Sequence, residues 1–129
     1  MLCYLIDDDV DDQEFFSLAL QEVNPSFQLM TSDSGVDALD QLRSKKVSPD
    51  IIFLDINMPR VDGWECLKRL QTMDHLMGTP VVIYSTSEPS YKSENSKGFS
   101  SFLTKQSKIS ELVEKLKELF LKIDAGKLC

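Results

Sequence analysis

Short apolar segments alternate with longer amphipathic segments along the chain. A run of four or five apolar residues bounded by polar residues is typical of a buried strand. The segment "IIFL" at 51–54 is the clearest example, because every residue in it is apolar. Such continuous runs favour strands buried on both faces, as in parallel sheets. The predicted strands are Leu2–Ile6, Phe27–Thr31, Ile51–Leu54, Pro80–Tyr84 and Phe99–Leu103.

Helix signals fill the segments between these strands. Apolar residues recur at helical spacing, most clearly after residue 108. A coiled-coil seam is the alternative there, but two heptads are too few to favour it. In residues 88–97 the only large apolar residue is Tyr91, so we expect a short, irregular helix. The other predicted helices are Asp11–Val23, a helix opened by a capping box at Ser34–Asp37, Gly63–Met73 and Ile109–Ile123.

The alternation of strands and helices predicts an α/β fold. Right-handed crossovers would build a parallel sheet with helices on both faces. Five such units match the flavodoxin-like (βα)5 arrangement, with strand order 2-1-3-4-5. We expect one domain over residues 1–124 and a short tail at 125–129. Ligands of such sheets bind outside the carboxyl ends of the strands.

Composition and charge narrow the function classes. The 129 residues are 42% hydrophobic and 27% charged, which is typical of a globular domain. A net charge of −7 argues against binding to nucleic acid or to an anionic membrane surface. No apolar stretch is long enough to span a membrane, so a cytoplasmic protein is expected. The odd number of cysteines, without C-x-x-C spacing, indicates reduced thiols: Cys3, Cys66 and Cys129.

The acid-rich segment "DDDVDD" at 7–12 follows the first predicted strand directly. Two carboxylates about 5 Å apart repel by roughly 3 kcal/mol at an effective dielectric near 20. Either the cluster is solvated, or a cation lies among its side chains. Other strands also end in polar residues, and the rule for ligand sites places all these ends at one rim of the sheet. The strand-end residues are Asp7, Asp8, Asp55, Ser85, Thr86 and Lys105.

This set of side chains suits phosphoryl chemistry. Clustered carboxylates favour a hard divalent cation such as Mg²⁺. One carboxylate in a neutralised pocket can act as a nucleophile toward phosphorus. Such a transfer needs little more than positioning and charge stabilisation, which Lys105 and the hydroxyl of Ser85 can supply.

Simpler interpretations compete at several positions. Asp7 and Asp8 alone could form a solvated acidic turn, Lys105 could lie on the surface, and Ser85 could cap the backbone. Asp9, Asp11 and Asp12 are predicted only to cap the first helix, to complement its dipole and to add solubility. An EF-hand would need glycine at Asp12 and glutamate at Leu18, so a calcium loop is excluded.

Four motifs resemble the receiver domain of two-component response regulators. They are "LIDDD" at 5–9, "LDINMPRVDG" at 54–63, "PVVIYST" at 80–86 and "FLTK" at 102–105. The resemblance covers nearly all of residues 1–124. It implies that Asp55 is the phosphoacceptor.

The resemblance also implies the metal ligands and the switch residues. Asp8 would bind Mg²⁺ directly, Asp7 largely through water, and Mn²⁺ could substitute. Further ligands would be Asp55 itself and the backbone carbonyl of Asn57. Ser85 would be the switch hydroxyl and Thr86 the small residue beside it. Lys105 would be the lysine that forms an ion pair in the site. Phe102 would be either an aromatic switch that moves or a plain core residue.

The family's function, applied to this chain, is phosphoryl acceptance from a histidine kinase or a histidine phosphotransfer protein. The chain would then signal through altered protein binding or pass the phosphoryl group onward in a relay. It would not be an enzyme in turnover terms. One alternative is a pseudo-receiver that only binds proteins. The other is a haloacid-type phosphatase, which would need an acid where Asn57 stands.

Three features depart from the family pattern. Gln106 follows Lys105 where proline is usual, often in a cis bond, so the loop that carries the lysine could be looser. The segment between Ser85 and Lys105 is about two residues shorter than usual. No effector domain is expected after residue 124.

Overall fold

The computed structural model describes residues 1–58, 63–86 and 101–124 of the chain. Strands and helices alternate, as the hydrophobic pattern predicts. The strands are β1 (Leu2–Ile6), β2 (Gln28–Ser32), β3 (Ile51–Leu54), β4 (Val81–Ser85) and β5 (Ser101–Thr104). The helices are α1 (Val10–Val23), α2 (Gly35–Arg43), α3 (Gly63–Leu70), α4 (Ile109–Asp124) and a short 3₁₀ helix at Asp74–Leu76.

The strands form one parallel sheet in the order β2-β1-β3-β4-β5. The flavodoxin-like order is therefore confirmed. Ile6 of β1 pairs with Leu54 of β3, and Leu54 pairs with Ile83 of β4. Because the central strands are in this register, the residues that follow β1 and β3 emerge side by side at the same rim.

Two apolar layers cover the sheet. One layer packs side chains of α2 and α3 against one face, with Leu39, Leu42 and Leu67 fully or almost fully buried. The other packs α1 and α4 against the opposite face. There, the ring of Phe16 lies edge-on to the rings of Phe53 and Tyr84, at centroid distances of 4.8 and 5.3 Å. The sheet is thus rigid on both sides below the rim that carries the polar residues.

Several boundaries differ from the predicted ones. Helix α3 ends at Leu70 rather than at Met73, because the chain tightens there: the hydroxyl of Thr72 donates to the carbonyl of Arg69 at 2.7 Å. Strand β4 begins one residue after Pro80, which has no N–H to donate to the ladder. The predicted fourth helix at 88–97 and the predicted tail at 125–129 lie outside the described residues.

The cysteine thiols of the described residues are not available for redox chemistry. Cys3 and Cys66 are free and fully buried. Burial raises the pKa of each thiol to about 12, so both stay protonated at neutral pH. Among the described residues, no helix combines the length and apolar character that a membrane crossing requires.

Candidate functional site

Three carboxylates meet where β1 and β3 end. Asp7 is fully buried, Asp55 is 4% exposed and Asp8 is exposed. One carboxylate oxygen from each lies within 4.8 Å of the others. The backbone holds two of them in place, because the N–H of Asp7 donates to Ser32 and that of Asp55 to Ile6, both at 2.9 Å. The sequence therefore placed this acid cluster correctly.

Asp7 and Asp55 are each oriented by a local turn of the same kind. Oδ1 of Asp7 accepts the backbone N–H of Asp9 at 3.0 Å, and Oδ1 of Asp55 accepts that of Asn57 at 3.0 Å. A carboxylate bonded to the backbone two residues further on forms an Asx turn, which fixes its rotation. In both residues, Oδ1 is thus held by its own loop, and Oδ2 is directed toward Lys105.

The ammonium of Lys105 lies among these acids. Its Nζ is 2.7 Å from Oδ2 of Asp12, 2.9 Å from Oδ2 of Asp7 and 3.5 Å from Oδ2 of Asp55. The Lys105 side chain is only 12% exposed, and its Nζ lies 5.2 Å from the ring centroid of Tyr84. Lys105 is therefore not an ordinary surface lysine.

The backbone around Lys105 is also fixed. Its N–H donates to the carbonyl of Ser85 at 2.7 Å, which continues the β4–β5 ladder by one residue. The peptide bond to Gln106 is trans, and the Gln106 side chain donates to the carbonyl of Thr104 at 2.9 Å. A trans glutamine with its own backbone contact thus occupies the usual proline position.

Burial and charge oppose each other in this site. Burial lowers the pKa of Lys105, but the hydrogen bonds that its ammonium donates to Asp12 and Asp7, together with the charges of Asp7 and Asp55, outweigh burial, so the pKa is raised. Burial raises the pKa of Asp7 to about 6, although the Asp9 N–H and the Lys105 ammonium lower it. One ammonium faces several carboxylates, so the site retains an excess of negative charge.

The raised pKa of Asp7 predicts a pH dependence of stability in the absence of divalent cations. Because its folded-state value of about 6 exceeds the ordinary 3.8, the folded chain binds more protons between these values. The free energy of unfolding should therefore fall as pH rises through this window, by up to about 3 kcal/mol, an amount that Asp7 shares with the charged groups it contacts. Urea unfolding of wild type and Asp7→Asn, measured from pH 4 to 7, gives this contribution as a difference curve.

The control for this measurement is Asp33→Asn, which removes an exposed carboxylate after β2 at the same rim. The difference between wild type and Asp7→Asn should decline with pH and level off above about 6. A difference curve that is flat, or that rises with pH, contradicts the prediction.

Ser85 ends β4 with an unusual environment. Its side chain is fully buried, and Oγ has no hydrogen-bond partner among the described residues. Buried polar atoms without a partner are rare in folded proteins. The alternative that this hydroxyl simply caps the backbone is therefore wrong. The orphaned hydroxyl is available for an additional ligand.

The positions of the other predicted site residues do not test the roles predicted for them. Thr86 follows Ser85 and is exposed. Phe102 pairs with Ile83 across the sheet and packs, half-buried, against the core layer that contains α2 and α3. The side chain of Asn57 is exposed, while its backbone N–H is engaged by Asp55. The metal role of the Asn57 carbonyl and the switch role of Phe102 stay predictions.

Asp12 belongs to the site, which sequence reasoning missed. It was predicted only to complement the dipole of α1, yet its carboxylate makes the shortest contact with Lys105. The role assigned to Asp9 is confirmed, because Asp9 is the N-cap of α1. A signal for Asp12 existed in the sequence: it precedes the buried Phe16 and Ala19 by four and seven residues, so it lies on the buried face of α1.

Gly63 allows the chain to return close behind Asp55. A Cβ at this position would lie 2.2 Å from Cα of Ile56 and 2.5 Å from the backbone oxygen of Asp55. The N–H of Gly63 also donates to the carbonyl of Ile56 at 3.1 Å. The first residue of α3 is thus packed directly against the backbone that carries the central carboxylate.

We expect Gly63→Ala to destabilise the fold by about 3 kcal/mol, as overpacking against a backbone that cannot yield does. The clash should also displace the backbone of Asp55 and so disturb the acid cluster. Urea unfolding would measure the loss of stability. Gly78→Ala is the matched control, since a Cβ there meets nothing within 4 Å. Equal stability of the two variants would contradict the close packing at Gly63.

Comparison with known families agrees with the geometry of the site. Residues 3–117 match the response regulator receiver domain. The chain therefore belongs to this family of two-component signalling domains, and the sequence-based resemblance is confirmed.

Curated relatives match this chain over only part of their own length. A protein-glutamate methylesterase/protein-glutamine glutaminase of Halalkalibacterium halodurans is 34% identical over 122 residues, which is 87% of this chain and 34% of that protein. The sporulation initiation phosphotransferase F of Bacillus subtilis is 36% identical over 67 residues, 50% of this chain and 52% of that protein. The chain thus spans about half or less of the length of these relatives.

Solved structures share the fold. The phosphorylated cyanobacterial phytochrome response regulator RcpA superposes with a TM-score of 0.81 at 26% identity, over 94% of this chain and 91% of that one. Chemotaxis response regulator CheY4 of Vibrio cholerae gives 0.76 at 24% identity, over 92% and 97%.

Proposed function

We propose that this chain accepts a phosphoryl group on Asp55 in a reaction that requires Mg²⁺. The observation that carries the proposal is the position of Asp55. Its carboxylate is buried at the end of a central strand, beside Asp7 and Asp8, and one of its oxygens lies 3.5 Å from the Lys105 ammonium. Membership of the receiver family supports the same reaction.

The donor set suits a magnesium ion. Carboxylate oxygens that lie within 4.8 Å of one another, with one acid exposed to water, match the preference of Mg²⁺ for oxygen ligands and retained waters. Asp7, Asp8, Asp55 and the backbone carbonyl of Asn57 would hold it, and Mn²⁺ could replace it. When bound, the ion supplies positive charge to the phosphoryl oxygens.

The side chains of the chain itself can carry the transfer. A carboxylate oxygen of Asp55 forms a bond to phosphorus while the bond from phosphorus to the donor breaks. With an acyl phosphate, the carboxylate of the donor leaves with the bridging oxygen and the electron pair. Lys105 neutralises charge on the phosphoryl oxygens, and the orphaned hydroxyl of Ser85 can donate a hydrogen bond to one of them. Thr86, a small residue beside Ser85, leaves room for the group.

The biological donor in this proposal is a sensor histidine kinase or a histidine phosphotransfer protein. The chain then signals through altered protein binding or passes the phosphoryl group onward in a phosphorelay. It modifies only itself, so it is a signalling protein and not a turnover enzyme. Phe102, half-buried and paired with Ile83 one strand away, is the side chain proposed to respond when Ser85 is engaged. Nucleic acid and membrane are not partners in this scheme.

The test is phosphoryl uptake by the wild-type chain. The protein is incubated with acetyl phosphate, with Mg²⁺ or with a chelator, and its intact mass is measured. A gain of one phosphoryl group that requires the metal supports the proposal. No gain at any donor concentration, in protein that is folded and binds Mg²⁺, would favour a pseudo-receiver. Continuous hydrolysis of phosphomonoesters would instead favour a phosphatase.

A further inference from the structure

The Lys105 ammonium lies closer to Asp12 and Asp7 than to Asp55, the carboxylate proposed to accept the phosphoryl group. Its Nζ lies 2.7 Å from Asp12, 2.9 Å from Asp7 and 3.5 Å from Asp55. The first two distances are those of strong charge-assisted hydrogen bonds, and the third lies at the outer limit of one. The ammonium is therefore engaged by Asp12 and Asp7, and only weakly by the central carboxylate.

Asp12 is held in position to make this contact. Its backbone N–H and that of Asp11 both donate to Oδ1 of Asp9, the N-cap of α1, at 3.2 and 2.9 Å. Four residues further along the same face, Phe16 is fully buried against Phe53 and Tyr84. The Asp12 carboxylate thus projects from an anchored helical turn toward Lys105, and 37% of its side chain remains exposed.

We propose that Asp12 is a positioning residue: it competes with Asp55 and with the incoming phosphoryl group for the ammonium of Lys105, and thereby slows phosphoryl uptake. This inference rests on the proposed function of Asp55. Because the backbone of Lys105 is fixed in the β4–β5 ladder, only the side chain can move. A phosphoryl group on Asp55 would therefore have to share this ammonium with Asp12, which is the nearer of the two carboxylates.

The size of the effect follows from the exposure of the pair. Ion pairs that remain partly open to water contribute up to about 1 kcal/mol, which corresponds to roughly fivefold in a rate constant. Asp12→Asn should therefore raise the rate of phosphoryl uptake about fivefold, because the neutral amide binds the ammonium less strongly. Negative charge develops on the phosphoryl oxygens in the transition state, so the released ammonium acts where it is most effective.

The matched control is Asp11→Asn. Asp11 lies in the same first turn of α1 and is exposed. This variant removes one negative charge from the same end of the helix, so it changes the long-range electrostatic potential at the site in the same way as Asp12→Asn. Uptake from acetyl phosphate is followed by intact mass at saturating Mg²⁺, at low and at high salt. The long-range effect shared by both variants is screened at high salt, whereas the contact with Lys105 is screened much less.

Asp12→Glu provides a second variant, because it keeps a carboxylate that can reach the ammonium. We expect Asp12→Asn to take up the phosphoryl group faster than Asp11→Asn at both salt concentrations. The uptake rate of Asp12→Glu should be close to that of wild type. Equal rates for Asp12→Asn and Asp11→Asn, a slower Asp12→Asn, or an Asp12→Glu as fast as Asp12→Asn would each overturn the inference. If wild type takes up no phosphoryl group, the proposed function fails first, so the two failures are distinguishable.

Discussion

Asp55→Asn is expected to take up no phosphoryl group from an acyl-phosphate donor under conditions in which wild type is fully modified. The amide is a far weaker nucleophile than the carboxylate, so the bond to phosphorus does not form. The amide oxygen can still accept the Asn57 N–H, which keeps the local turn intact. Intact mass of both proteins with acetyl phosphate and Mg²⁺ measures the difference.

The control for this substitution is Asp33→Asn, since Asp33 is an exposed acid at the same rim of the sheet. It should be modified like wild type. A phosphoryl group that still appears in Asp55→Asn, and that peptide mapping places on Asp7, Asp8 or another acid, would contradict the assignment of the acceptor. Circular dichroism of both variants establishes that they are folded.

Lys105→Met should cause the second large effect, a loss of about 3 to 5 kcal/mol in the free energy of unfolding without divalent cations. The substitution leaves the buried carboxylates of Asp7 and Asp55 without their cation. Mg²⁺ should stabilise this variant more than it stabilises wild type, because the ion no longer competes with an ammonium for the same oxygens. Urea unfolding with and without Mg²⁺ measures both effects.

The matched control is Lys108→Met, which removes an exposed lysine three residues further along the chain. Its stability should stay close to that of wild type with or without the metal. If Lys105→Met and Lys108→Met are equally stable without metal, Lys105 is not the cation that compensates the buried acids.

The architecture was predictable from the hydrophobic pattern together with general rules for parallel α/β sheets. The run Ile51–Leu54 is apolar throughout, and the structure has it as a fully buried central strand with those bounds. Its neighbours in the sheet follow from the rules for parallel crossovers. Once the strand order is known, Asp7 and Asp55 must emerge together, since each follows its strand directly. Most of the acid cluster is therefore a consequence of topology.

The details that sequence reasoning missed depend on individual side-chain contacts, which the pattern of hydrophobic and polar residues does not specify. The spacing of Asp12 from Phe16 and Ala19 places it on the buried face of α1, but its contact with Lys105 depends on the reach of the lysine side chain, which the sequence does not give. At the end of α3 the backbone N–H groups of Thr72 and Met73 donate to the carbonyls three residues back, and the Thr72 hydroxyl joins the same turn, which the apolar pattern does not reveal. The orphaned hydroxyl of Ser85 is a property of the packing around it, so no local sequence feature predicts it.

The Asx turn at Asp55 has a stereochemical consequence. With Oδ1 bonded to the N–H of Asn57, Oδ2 is the oxygen of the carboxylate that faces Lys105. A group attached there would leave the strand end along a single direction, toward the side that Lys105 occupies. Rotation of that group would turn the carboxylate and so disturb its hydrogen bond to the backbone of Asn57. Modification of Asp55 would thus act on the main chain at Asn57 through one hydrogen bond, in addition to its contact with the Ser85 hydroxyl.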